Sequence, residues 1–332
     1  MKKTGLLLLM LSVAAWAQQA NPAPASAPAD QSSSQGTVNT SVSSPTERVQ
    51  TPTYADLYCA GFISKQVLPN SNFVAGGLQT PNTTKFATGE VVYLAGSGYQ
   101  TGTQYTIVRE LADPNRFENF QGQHAAIAAA GQPYAEIGRV RIIDTRSKTA
   151  IAQIEFSCDP VNPGDLAVPF VEKAAVSFHP PLRFDRFVPA TGKLTGRIVL
   201  AKDFDTTLGT GMKAYMNVGS NQGVKVGDYF RAVRAYEADL RDPVDSISFK
   251  ASTVEETQKR PPSIEAKRFT KGKGPQIHVR DLPRRAVGEV VVIGVTPTSA
   301  TGMVVFALED VHVGDGVELD EQQQQQQAQV QQ

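Results

Sequence analysis

Residues able to do chemistry are sparse in this 332-residue chain, and their spacing argues against most kinds of catalysis. His124, His179, His278 and His312 lie far apart, and none belongs to a ligand-spaced pair such as His-x-x-x-His, so no zinc site is expected. His312 stands just before a Gly-Asp turn and reads as a turn residue. A serine hydrolase would favour Gly-x-Ser-x-Gly between a strand and a helix, and the nearest text, Ala95-Gly-Ser-Gly-Tyr-Gln100, lacks both the pattern and the helix. Gly209-Thr-Gly-Met-Lys-Ala214 opens like a dinucleotide-binding loop. It runs into a strand pattern, so no helix N-terminus is available for phosphate.

Three aspartates remain. Asp165, Asp228 and Asp315 follow Gly164, Gly227 and Gly314, and turn aspartates accept hydrogen bonds from nearby backbone N–H groups. General acid–base work needs a second group converging on the same cleft, and none is visible. A non-catalytic protein without metal or cofactor is the expectation.

The elements that must hold these residues are short runs of Val, Ile, Tyr and Phe with partial alternation, punctuated by Gly, Pro, Asn and Asp, which is the grammar of a mainly β chain. The clearest example is Gly219 to Arg234, where Gly223 and Gly227 frame Val224 and Val226 before Tyr229-Phe-Arg-Ala-Val alternates into a strand. Glycines at Gly102, Gly164, Gly223, Gly227 and Gly314 are read as tight turns. Helical signal is weak; one short surface helix is expected over Gln123 to Ala130, ended by Gly131.

An internal duplication organises the chain. Thr88-Gly-Glu-Val-Val-Tyr93 matches Thr210-Gly-Met-Lys-Ala-Tyr215, and Gly102 to Arg109 matches Gly227 to Arg234. Ile137 to Ile143 matches Val287 to Ile293, and Ile154 to Asp165 matches Val304 to Asp315 without a gap. Cys59-Ala-Gly-Phe-Ile63 is set against Leu194-Thr-Gly-Arg-Ile198. Residues 57–170 and 192–320 are therefore two tandem copies of one small β-barrel-like module, the second carrying an insertion over 235–285. A Pro- and aromatic-rich linker over 171–191, including Phe178 to Pro189, is expected to pack against the barrels.

The alignment puts Cys59 opposite Leu194 and Cys158 opposite Leu308. If the first and last strands of a module lie side by side, Cys59 and Cys158 form a disulfide and the two leucines pack in their place; two unpaired buried thiols are the alternative.

At the N-terminus, Met1-Lys-Lys, an apolar run from Gly5 to Ala14 and Ala15-Trp-Ala17 read as a secretory signal peptide over 1–17, cleaved between Ala17 and Gln18. Residues 18–56, rich in Ala, Pro and Ser, read as a disordered linker, and 321–332 as a disordered Gln-rich tail. The expected location is the periplasm or the exterior, with no transmembrane span in the mature chain. Thirty-two basic against thirty-two acidic residues argue against a nucleic-acid partner.

Ala214 to Arg234, with Ala286-Val-Gly-Glu-Val-Val-Val-Ile293 and Val311-His-Val-Gly-Asp315, resembles the C-terminal β-domain of the flagellar assembly protein T family, which also occurs in envelope proteins associated with type IV pilus secretins. The resemblance covers the second module and, more faintly, the first; no LysM segment accompanies it. It implies an exported, non-catalytic scaffold or adaptor that binds another envelope component, such as a secretin, pilus or flagellar part. The alternative is a peptidoglycan- or carbohydrate-binding module, which would expose aromatics such as Tyr99, Phe117, Phe120, Phe184 or Phe187.

Overall fold

A computed structural model describes residues 51–115, 117–146, 148–181, 183–235 and 283–320. The signal peptide with Ala17 and Gln18, most of the N-terminal linker, nearly all of the insertion and the Gln-rich tail lie outside the described residues. So does His278.

The first module comprises α1 (Tyr54–Tyr58), β1 (Phe62–Ser64), β2 (Phe73–Gly77), β3 (Val91–Ala95), β4 (Gln104–Glu110), α2 (Gln123–Ala130), β5 (Gln132–Asp144), β6 (Ala150–Ser157) and β7 (Leu166–Pro169). The second comprises β8 (Thr195–Ala201), β9 (Thr207–Leu208), β10 (Lys213–Met216), β11 (Tyr229–Arg234), β12 (Arg285–Val295), β13 (Ala300–Ala307), β14 (Val311–His312) and β15 (Gly316–Leu319). In the first, the order β5-β4-β7-β2-β3-β6 returns to β5, and β1 is added beside the first residues of β5. In the second, β12-β11-β15-β8-β10-β13 closes in the same order. Two six-stranded antiparallel barrels thus stand in tandem.

Alternation fills them. Val92 and Leu94 of β3, Ile107 of β4 and Ile154 of β6 point into the first barrel. Ala214 and Met216, Ala232 and Val304 do the same in the second. Six strands enclose only enough space for their own side chains.

The duplication is visible bond by bond. Strand β5 pairs with β6 through Gly138↔Ser157, Arg139↔Phe156 and Val140↔Ile154, and β12 pairs with β13 through Gly288↔Ala307, Glu289↔Phe306 and Val290↔Val304. Both ladders slip at the same two places, after Arg139 and Ile142 and after Glu289 and Val292. A slipped ladder bends and twists its strand, which a barrel this small requires. Beside it, a β-carbon on Gly138 would lie 2.4 Å from the Phe156 carbonyl oxygen, and one on Gly288 would lie 2.5 Å from that of Phe306. Only glycine fits either position.

One alignment is corrected. Val74 and Ile198 occupy the same place, since Gly164 N–H donates to the Val74 carbonyl and Gly314 N–H to that of Ile198, both at 2.8 Å. Leu194 therefore corresponds to Asn70, not Cys59. Residues 53–64 form an arm outside the first barrel, and its counterpart is part of the linker: Arg186 O accepts from Ala286 N at the start of β12, where Phe62 runs beside the start of β5. The Cys59–Cys158 disulfide exists, with Cα atoms 5.8 Å apart. It ties the arm to the end of β6 and does not close the barrel. Leu194 lies on the seam of β8 with β15, where Leu319 N–H donates to its carbonyl.

Boundaries shift in two further places. Helix α1 begins inside the stretch expected to be disordered, because Thr53 and Asp56 form a reciprocal capping box. Strand β12 begins at Arg285, the last residue assigned to the insertion.

Candidate functional site

Asp165 and Asp315 occupy equivalent turns and hold equivalent partners. Arg109 clasps Asp165 with Nε and Nη2, each at 2.8 Å, and Arg234 clasps Asp315 in the same way. The Nη2 groups also reach the carbonyls of Pro160 (2.8 Å) and Asp310 (2.6 Å), while the N–H groups of Asn162 and His312 donate to the aspartates at 2.7 Å. Each carboxylate is buried. It pins the β6–β7 or β13–β15 turn, and three of its roughly four acceptor sites are taken by these donors. The arginines were missed by sequence reasoning, although each closes a matched string, Gly102 to Arg109 and Gly227 to Arg234. Asp228 accepts from Lys225 N–H at 2.8 Å within its own turn.

The glycines read as turns are turns. Gly102, Gly164, Gly223, Gly227 and Gly314 all have left-handed φ, between 87° and 108°. His124 lies 3.6 Å from Glu118, His179 N–H donates to the Tyr229 hydroxyl, and His312 is buried beside Asp315. Among the described residues no group of three metal-ligating side chains converges.

Of the five aromatics, Tyr99 packs edge-on against Tyr105, and burial pushes its hydroxyl up to about 12. Phe120 is buried beneath Arg197, and Phe184 packs on Phe306 at 4.9 Å. Phe117 and Phe187 remain exposed, at 86% and 61%.

The most elaborate polar construction lies between the barrels, around the arm. Tyr54 and Tyr58, one helical turn apart, pack on Phe156 and Phe170 of the first module. Leu57 and Ala60 lie with linker residues Val176 and Phe178 on an apolar outer face of the second barrel formed by Tyr229, Val291, Ile293, Met303 and Val305. Beyond them, four side chains of the second module donate to arm carbonyls: Tyr215 Oη to Ala60 (2.7 Å), Thr301 Oγ1 to Gly61 (3.0 Å), and Ser299 Oγ (2.7 Å) and Thr296 Oγ1 (2.9 Å) to Ile63. These donors satisfy the carbonyls of Ala60 and Gly61, just before β1, and of Ile63 within it. On the first-module side, Glu136 accepts from Gly61 N–H (3.1 Å) and from Lys173 Nζ (2.7 Å). Burial raises the Glu136 carboxyl above its usual range despite Lys173. Burial likewise raises the Tyr215 hydroxyl.

A groove opens beside the excursion of each module, the two sharing one equivalent lining position, Glu110 and Ala235. The first, about 600 Å³, is lined by Leu111, Asp113, Ile127, Gln132 and Pro133 and by Leu200 of the second barrel. It sits where the β4–β5 excursion, carrying α2, leaves the first barrel. Helix α2 matches its expected bounds but is not wholly superficial: Ile127 is buried, and Gln123 Nε2 donates to the Val199 carbonyl at 3.0 Å. The second groove, about 310 Å³, is lined by Arg197, Val233, Ala235, Arg284, Gly316 and Glu318, where the insertion leaves between β11 and β12.

The described strand edges are poorly suited to pairing with another chain. β7 extends past β2, and the outward position there is Pro169, which has no N–H to donate. No family model matches the sequence, and no curated protein matches it.

Proposed function

We propose that this chain is an exported, non-catalytic scaffold of the cell envelope, which binds another envelope protein at the corner of each module where an excursion leaves the barrel. The observation that carries this reading is a groove beside the excursion of each module, one lined by Glu110 and Leu111 and one by Arg234 and Ala235, although the rest of their linings differ. The barrel interiors are filled with side chains and the buried turn aspartates are held by arginine, which favours recognition on the outside. The disulfide fits an oxidising compartment, and the resemblance of the second module to envelope-assembly β-domains points the same way. Binding through grooves takes precedence over strand addition, because ring closure and Pro169 leave little edge to extend.

A photo-crosslinking residue placed at exposed Ala128 or at Ala235 tests the reading in the native envelope. A discrete cross-linked protein is expected from at least one corner, and Ala128→Arg or Ala235→Arg, which fills the groove, should abolish capture there. Folded protein that cross-links at neither corner overturns it. The peptidoglycan- or carbohydrate-binding alternative rests on exposed Phe117 and Phe187. Co-sedimentation with purified sacculi that is lost in Phe117→Ala would favour it instead.

A further inference from the structure

We infer that the Cys59–Cys158 bridge is a reducible latch on the inter-barrel groove: opening it loosens the arm and, with the arm, the groove wall, while both barrels stay folded. This rests on the reading of that groove as a binding site only for its biological consequence. The coupling itself is a property of the arm.

Three observations place the bridge there. Every barrel strand finds its neighbours without the cysteines, because Cys59 lies between α1 and β1 and Cys158 follows β6. The arm is gripped from both sides, covalently by the first module at Cys59 and by hydroxyl donors of the second at the next residues, Ala60 and Gly61. The far end of the arm is the backing of the groove. Ser64 pairs with Gln132 and Ile63 with Pro133, and both of those partners line it. Gly131, also in the lining, approaches the arm so closely that a β-carbon would sit 2.2 Å from the Ser64 carbonyl carbon. Ile63 shares a buried cluster with Ile127 and Ala130, and Thr298 Oγ1 of the second module donates to the Ala130 carbonyl at 2.5 Å. Movement of the arm cannot leave this wall in place.

The exchange needs an external dithiol. Its thiolate attacks the sulfur of Cys158, the more accessible of the two, and Cys59 leaves as a thiolate that takes up a proton. The second thiol of the reductant then displaces Cys158, so the protein gains two thiols and the reductant becomes a disulfide.

Hydrogen exchange on the full mature chain, oxidised and after reduction with dithiothreitol confirmed by thiol titration, tests the inference without any partner. Amides of residues 53–64 and 123–133 are expected to exchange about tenfold faster or more on reduction, while those of β10, β12 and β13 keep their protection. The Cys59→Ser/Cys158→Ser chain should reproduce the reduced pattern. Tyr215→Phe, which keeps the bridge but removes a clasp, should show a weaker version. An arm that loosens while 123–133 stays protected refutes the coupling. So does exchange that accelerates throughout both barrels, or a fully reduced protein with unchanged exchange. Since no ligand is used, these failures are distinct from failure to cross-link a partner.

Discussion

Gly61→Ala offers the most direct measure of how firmly the two barrels are joined. Gly61 has φ 71°, and a β-carbon there would lie 2.5 Å from Tyr215 Oη and 2.7 Å from the Tyr134 carbonyl oxygen. Left-handed backbone costs an L-residue about 1–2 kcal/mol. The contact with Tyr134 is with main chain in β5 and yields only if β1 moves. Relief at Tyr215 breaks its buried hydrogen bond to Ala60, a further loss of about 1–3 kcal/mol where the carbonyl is left unsatisfied. Together these give about 2–5 kcal/mol. Gly102→Ala is the internal control, with φ 87° and nothing within 4 Å of the added carbon, so only the backbone cost of about 1–2 kcal/mol applies. Urea unfolding of the oxidised proteins, followed by circular dichroism, separates the two. In a Tyr215→Phe background the atom that the methyl meets is gone, and the cost of Gly61→Ala should shrink by about 1 kcal/mol or more. If Gly61→Ala costs no more than Gly102→Ala, the arm is not clamped as described.

Three further outcomes follow from the same geometry. Arg234→Met should destabilise by about 3–5 kcal/mol because it strands the fully buried Asp315, whereas Arg109→Met, at a pair whose arginine is 30% exposed, should cost less, about 1–2 kcal/mol; urea midpoints compare them. Gly138→Ala and Gly288→Ala should cost similar amounts, about 1–3 kcal/mol each, since each added carbon meets the same strand carbonyl; clearly unequal losses would mean that the two bulges are not equivalent. Glu136→Gln tests the buried carboxyl. Its native value lies above the unfolded one, so the native state binds the proton more readily, and wild-type stability falls as pH rises from about 4.5 through the native value. The glutamine chain lacks this slope. Its stability relative to wild type should be greater at pH 7 than at pH 4, and an unchanged difference in urea titrations at the two values refutes the assignment.

The closing half of each module was legible because Ile137 to Asp165 and Val287 to Asp315 keep their apolar alternation and their glycines, the two features that ladder register and bulges depend on. The opening half was not. Asn70-Ser-Asn-Phe-Val74 and Leu194-Thr-Gly-Arg-Ile198 share a strand seam but no residue, so a chance Gly and Ile drew the alignment to Cys59–Ile63 instead. The disulfide forms for another reason than barrel closure, since Cys59 belongs to the arm and not to a barrel strand. Arg109 and Arg234 were overlooked because a strand-terminal arginine looks like any solvated charge until its turn aspartate folds back on it. The inter-barrel clasp left no trace in the sequence: scattered hydroxyls donate to main-chain carbonyls, and a carbonyl has no residue type. Grooves at the excursions were also invisible, because they depend on where two non-local strands part.

The modules differ sharply where they face away from their cores. The outer face of the second barrel at Tyr229, Val291, Ile293, Met303 and Val305 is apolar and is covered by the arm and linker. The corresponding residues of the first barrel are Gln104, Arg141, Ile143, Gln153 and Glu155. There Glu155 accepts from Gln104 Nε2 at 2.6 Å and from Arg141 Nε at 2.5 Å, a surface already satisfied and partly solvated. A stacked repeat is soluble only if its terminal face is polar, and the first module carries such a face. Another arm docking there would have to strip water from Arg141 and Glu155, which gain nothing in exchange. The polar outer face of the first barrel is therefore unsuited to docking a second arm of this kind.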